Sequence, residues 1–468
     1  AEPTAPQTIE PLPFDAAVSF EPTQSVTVSA PPGHPFIGAD GTERPLIERE
    51  VFVRSSDELR FVRIPGGTYT VGVDLDDPLG APEFSPTVEV EVGDFYLAER
   101  EMTVGQYTRF VNHLNEIERK RAAFSQAIEA WENRQPEYAE QLRAELANHD
   151  PERYDHPLQP VSKSGHLPRG FGALGANQIL RTIDWWDAWA YQNWANGGEL
   201  MRGILPTEVE WEIAARGNGG LYPWGDSPSR RALLDYLEQT GEFEADDDAE
   251  QELRSLFGLA AIGLDSAPTL DELQENGHGR NFYGIFDLFG SAAEICWDRY
   301  APGLYRYLAE NPTATAFSPS GSLEEIEQTL MEYGSTAALR AVRESSVRGT
   351  SLTDAHAVRR RGYDPSSEDG ELRMLHSYIS FRPVYYLDRE PAYAEHLRLV
   401  EAVEAGDESA REKLRLLMFG PFDEAESGAE APADGGEPEE GDGVGESDPG
   451  TDSDPDSNAP SGRDDETD

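Results

Sequence analysis

Between residues 59 and 101 the chain alternates apolar and polar positions. "LRFVRIPGGTYTVG" (59–72) reads as a hairpin turning at Gly66-Gly67. "TVEVEVGDFYLAERE" (87–101), with Val88, Val90 and Val92 on one face, reads as a further strand. The period then changes. In "TVGQYTRFVNHLNEI", Tyr107, Phe110, Val111 and Leu114 recur at helical spacing behind Thr103, a good N-cap. Residues 115–150 are charged and read as two helices broken near Pro136. "IDWWDAWAYQNWAN" reads as an amphipathic helix loaded with Trp185, Trp189 and Trp194. In "LPTEVEWEIAARG", Thr207 and Glu210 form a capping box and Gly217 stops the helix.

Further on, "SLEEIEQTLMEY" and "STAALRAVRESS" read as helices, and "SSVRGTSL" and "YISFRPVYYL" return to strand character. Residues 389–420 read as a C-terminal helix. Residues 1–45 are Pro-rich around a short β-like "SVTVSA", which predicts an extended arm or a small appended strand pair. From Pro421 the composition is Gly, Pro, Ser, Asp and Glu, which cannot bury a core and predicts disorder.

Charge narrows the function classes. Against 38 basic residues stand 89 acidic ones, a net −51, of which residues 421–468 carry −17. Such a surface repels nucleic acid and anionic lipid, so no nucleic-acid partner is expected. No apolar run approaches the ~18–20 residues of a membrane span. The chain opens "AEPTAPQ" without Met, which fits either a product cut after a secretory signal or a trimmed chain. The first reading gives a secreted, periplasmic or cell-surface protein. There is one cysteine, Cys296, so no internal disulfide forms.

Four blocks then stand in order: "VRIPGGTYTVG" (62–72), "VGDFYLAEREMTVGQYTRFVN" (92–112), "LPTEVEWEIAARG" with "LYPWGD" (205–226), and "NFYGIFDLFGSAAEICWD" (281–298). A weaker fifth runs "VRGTSL", "RRRGY", "ISFRPVYY" (347–386). Together they resemble the formylglycine-generating enzyme, or sulfatase-modifying factor, family over about 59–388. The resemblance implies an irregular α+β, C-type-lectin-like fold. The expected organisation is a Pro-rich arm (1–58), the family domain (59–388, with inserts near 115–157, 227–276 and 301–345), a C-terminal helix (389–420) and an acidic tail (421–468).

The founding enzymes of that family oxidise a sulfatase cysteine to formylglycine, using O2 and a copper ion held by two cysteines. The matching segment here, "VRGTSLTDAHAVRRRGYDPSSEDG" (347–370), has none. Asp354 falls about where the first would lie, and a carboxylate is a poor ligand for Cu(I). No copper is expected, and formylglycine-generating activity is not expected. Cys296 lies in another block and reads as a small buried hydrophobe. A related iron-dependent branch uses an H-x3-H-x-E set, which the nine histidines do not form.

In the family, the block matching "DLFGSAAE" binds structural Ca2+. Carried over, the ligands are Asp287, the carbonyls of Gly290 and Ala292, and Glu294. Ser291 and Ala293 depart from the family pattern at positions that support the loop. The alternative is that Asp287 and Glu294 cap or pair locally. The "SDPGTDSDPDSN" tail reads as a solvated acidic run. The cations of "RRRGY", Arg359, Arg360 and Arg361, with Tyr363, could take a carboxylate or phosphate, or could neutralise neighbouring acidic groups.

Two functions follow. One is a non-catalytic binding or structural protein with a protein or glycan partner, of the kind found in cell-surface assemblies. The other is an enzyme of altered, non-copper chemistry using Asp354, His356 and the arginines.

Overall fold

The alternation in Val88–Val92 is realised residue by residue: the valines are buried and Glu89 and Glu91 face solvent. The computed structural model describes residues 20–28, 47–77, 79–159, 175–217, 220–221, 281, 283–286, 288, 292–335, 339–343, 356–363 and 379–421. In chain order the strands are β1 (Phe20–Val28), β2 (Ile47–Arg54), β3 (Arg60–Ile64), β4 (Gly67–Val71), β5 (Val88–Val92), β6 (Phe95–Ala98), β7 (Ala293–Arg299), β8 (Arg340–Arg343), β9 (Arg360–Tyr363), β10 (Ile379–Phe381) and β11 (Val384–Tyr385). The α-helices are α1 (Val104–Trp131), α2 (Pro136–Ala147), α3 (Trp185–Ala195), α4 (Glu208–Arg216), α5 (Leu304–Glu310), α6 (Leu323–Glu332), α7 (Ala394–Glu404) and α8 (Glu408–Phe419).

Among the described residues three small sheets form: β1-β2-β3-β6-β11, β10-β7-β8-β9, and the pair β4-β5. This is the irregular α+β architecture expected. The hairpin expected at Gly66-Gly67 does not form. β3 pairs with β2 and β6, whereas β4 pairs with β5 in a separate ribbon. The chain changes sheets at two neighbouring corners, 65–67 and 93–94. Asp94 ties them, accepting from Arg63 Nε at 2.9 Å and from the Gly66 amide. A Cβ on Gly66 would sit 2.9 Å from the Asp94 nitrogen, so the corner needs glycine.

Other expectations are corrected by packing. The first helix and the charged segment after it form one helix to Trp131. Helix α3 is buried at every position rather than on one face. Arg340–Arg343, expected in a helix, is a strand between β7 and β9. Ala and Arg are good helix formers, but local propensity is a weak force and the tertiary sheet overrides it. The C-terminal helix is two helices. They break at Gly406, whose φ of +90° suits glycine, and Asp407 caps the second. Before residue 59, β1 and β2 extend the first sheet. The acidic tail, the 227–276 segment and "SSVRGTSL" lie outside the described residues.

Candidate functional site

Helix α4 carries glutamates at 208, 210 and 212, and all three are buried. Thr207 caps it as expected, with Glu210 returning the bond to the Thr207 amide at 3.0 Å. A buried carboxylate needs a partner, and each of these has at least one. Arg360 grips Glu208 with two bonds of 2.6 Å. Arg343 Nε lies 3.1 Å from Glu208, and its Nη1 lies 3.3 Å from Glu212. Glu212 also accepts from Arg216 and the Gly72 amide, both at 2.8 Å, and from the Tyr305 hydroxyl. Glu210 accepts from Tyr386 at 2.7 Å and from Arg389. Trp211, on the remaining face, donates its indole N–H to Glu294 at 2.7 Å.

The electrostatics follow from this arrangement. Burial pushes the Glu212 carboxyl up, but Arg216 and Arg343 outweigh it and hold the group below its ordinary value. Burial works against the Arg360 charge, and Glu208 more than restores it. Asp298 differs: burial and then Glu208 push it up to about 7. It accepts the Glu208 and Phe317 amides at 2.8 and 2.9 Å, stapling the start of α4 to the 317 loop. Cys296 is fully buried beside this network, and burial pushes its thiol well up, so it stays protonated. Such enclosure disfavours the thiolate on which both metal binding and nucleophilic attack depend.

The profile of a family described as "Sulfatase-modifying factor enzyme 1-like domain" matches residues 49–360. The chain belongs to that family. Its relatives include the inactive Cα-formylglycine-generating enzyme 2 of Mus musculus, 29% identical over 250 residues, spanning 52% of this chain and 69% of the relative. The formylglycine-generating enzyme of Streptomyces coelicolor is 28% identical over 272 residues, spanning 55% of this chain and 74% of that one. Among solved structures, PvdO from Pseudomonas aeruginosa aligns at 16% identity with a TM-score of 0.39, covering 72% of this chain and 98% of that chain.

Within this sulfatase-modifying-factor scaffold, the sequence-derived sites divide. Arg360 is not offered to a ligand. Besides Glu208 it donates to the Ala301 carbonyl at 2.8 Å and lies 4.6 Å over the Tyr300 ring. Tyr363 is buried at the end of β9, and Arg359 and Arg361 flank Arg360. His356 is buried edge-on to Phe84, with ring centroids 5.8 Å apart. Asp354 lies outside the described residues, as do Asp287 and Gly290 of the expected calcium loop.

Ala292 is buried just ahead of β7, and Glu294 is buried within it. The Glu294 carboxylate accepts from Arg382 Nη2 at 2.6 Å and Nε at 3.0 Å, as well as from Trp211. Both oxygens are engaged by donors that a cation would have to displace. Glu294 is here the counter-charge of Arg382, and a Ca2+ ion could use its side chain only in exchange for those donors. Among the described residues, no three of His, Cys, Asp and Glu gather to hold a metal ion.

Sequence reasoning missed the arginines that answer these carboxylates. Arg382 had one signal: it sits in the short apolar stretch "ISFRPV", where a lone cation implies a buried anion. An open depression of about 460 Å3 adjoins the network, with Arg216, Asp74, Asp76, Asp77 and Thr87 on its walls.

Proposed function

We propose that this protein is a non-catalytic binding or structural member of the sulfatase-modifying-factor family, working outside the cytoplasm, with a protein or glycan partner. The observation that carries the reading is Cys296. It is the one cysteine of the chain, and it is buried with its thiol held neutral. The copper chemistry that the family resemblance implies needs two thiolates. The carboxylates around it are committed to arginines, which supports a scaffold role. The inactive relative in mouse is in keeping with this.

The test is to incubate the purified chain with copper, O2 and a peptide bearing a sulfatase cysteine motif, and to follow formylglycine by mass spectrometry. No formylglycine and no stoichiometric copper are expected. Turnover, or one tightly held copper, overturns the proposal in favour of an enzyme with an unrecognised ligand set. The calcium expectation is read in the same sample. One equivalent of Ca2+ with a chelator-dependent fall in Tm would mean that Glu294 exchanges Arg382 for the ion. An unchanged Tm with EDTA would remove calcium from the scaffold.

A further inference from the structure

Between β7, β8, the 317–321 loop and the two C-terminal helices lies a partly enclosed cavity of about 50 Å3. That is several times the ~10–15 Å3 that one water needs. Its walls include Arg299, Arg340, His396 and Lys413, with Glu395 and Ser320 also on the lining. Arg299 and Arg340 are directly opposite each other across the β7–β8 ladder, an arrangement that like charges disfavour. Both are buried.

Arg299 donates to the Ser335 carbonyl and hydroxyl at 3.1 and 3.3 Å and to the Leu417 carbonyl at 3.0 Å. Arg340 reaches the Trp297 carbonyl at 3.5 Å and the Met418 sulfur at 2.9 Å, and lies 4.2 Å over Trp185. Among the described residues no carboxylate forms an ion pair with Arg340. His396 is 8% exposed, and its Nε2 is buried without a hydrogen-bond partner. Burial and then Arg340 push its imidazole down to about 3, so it is neutral and has one N–H to give. Glu395 does not balance the cavity. Its side chain is 64% exposed and pairs with Arg398 at 3.3 Å.

The carboxyl that acts favourably on Arg340 is Asp298, whose oxygens accept from the Glu208 and Phe317 amides rather than from the guanidinium, and a buried guanidinium so weakly balanced is a costly arrangement. Here it lines one cavity with a second guanidinium, a half-buried lysine and an unsatisfied imidazole, in a chain of net −51. We propose that this cavity binds a small inorganic oxyanion of the sulfate or phosphate class. Arg340, His396 and Lys413 supply donors, and Arg299 supplies further positive charge. The oxyanion offers several acceptors in a compact volume, which satisfies the imidazole N–H and balances the Arg340 charge together. The inference rests on the cavity and is independent of the catalytic status of the chain.

The test uses the full chain. Tm is followed against sodium sulfate and, separately, sodium phosphate, with sodium chloride at matched ionic strength. A saturable rise with either oxyanion is expected, because a ligand that binds the folded state stabilises it. The general salting-out effect of sulfate does not saturate. Arg340→Met should abolish the saturable part. Should that variant fail to fold, Lys413→Gln should raise the midpoint concentration about tenfold. A rise that chloride reproduces, a rise that never saturates, or an unchanged midpoint in Lys413→Gln overturns the proposal.

Discussion

Around helix α4 and around the β7–β8 ladder the protein buries arginine in two opposite ways. At α4 every buried carboxylate meets a guanidinium or hydroxyl: Glu208 with Arg360 and Arg343, Glu212 with Arg216, Arg343 and Tyr305, Glu210 with Arg389 and Tyr386. At the ladder, Arg340 faces Arg299 and rests on a carbonyl, a sulfur and an indole. Arg343 and Arg360 are buried, as are Arg299 and Arg340, so burial of the guanidinium does not distinguish the two regions. Charge balance does. The paired cluster holds the fold, and Arg340, with no carboxylate in direct contact among the described residues, has binding capacity left over.

The comparison breaks most visibly at Arg360. Arg360→Met leaves Glu208 buried without its bidentate partner and should lower stability by about 3–5 kcal/mol in urea unfolding. Adding Glu208→Gln should recover part of that loss, as expected for groups in direct contact. If Arg360→Met unfolds no more easily than the parent, the α4 network is not what holds these elements.

The second effect is a pH dependence, from the one carboxyl of this region without an arginine clasp. Asp298 is raised from an ordinary 3.8 to about 7. The folded state therefore binds a proton more tightly than the unfolded chain does. Its contribution is fully present below about pH 4 and is lost as pH rises through about 7. The shift corresponds to about 4 kcal/mol across that window. Chemical denaturation at a series of pH values should show that decline superimposed on other titrations, and Asp298→Asn should flatten it. A slope unchanged by Asp298→Asn would remove the assignment.

The smallest effect is the sharpest contrast. Arg340→Met, the same replacement as at Arg360, should leave stability within about 1 kcal/mol of the parent or raise it when no oxyanion is present, because it removes a like charge and fills the site with an apolar chain of similar length. A loss as large as that of Arg360→Met would make the two regions alike.

Much of the local structure was legible. The capping pairs Thr103 with Gln106 and Thr207 with Glu210 lie three residues apart, and the alternation of Val88, Val90 and Val92 is read directly from neighbours. The site was far less legible. The pattern of "RRRGY" and of "DLFGSAAE" did not show that Arg360 and Glu294 are each engaged by a side chain distant in sequence. Arg360 meets Glu208 across 152 residues, and Glu294 meets Arg382 across 88.

The sequence by itself determined the family, the helix starts, the alternating strands and the absence of a cysteine pair. Capping, periodicity and composition act over a few residues, and a missing thiolate needs no geometry to be missed. Only the tertiary structure decided that β3 and β4 part into different sheets, that Arg340–Arg343 is a strand, and which buried arginines have counter-charges. Those outcomes depend on dehydrated pairing between segments brought together by the whole fold, where the energy of a charge is set by what surrounds it rather than by what precedes it.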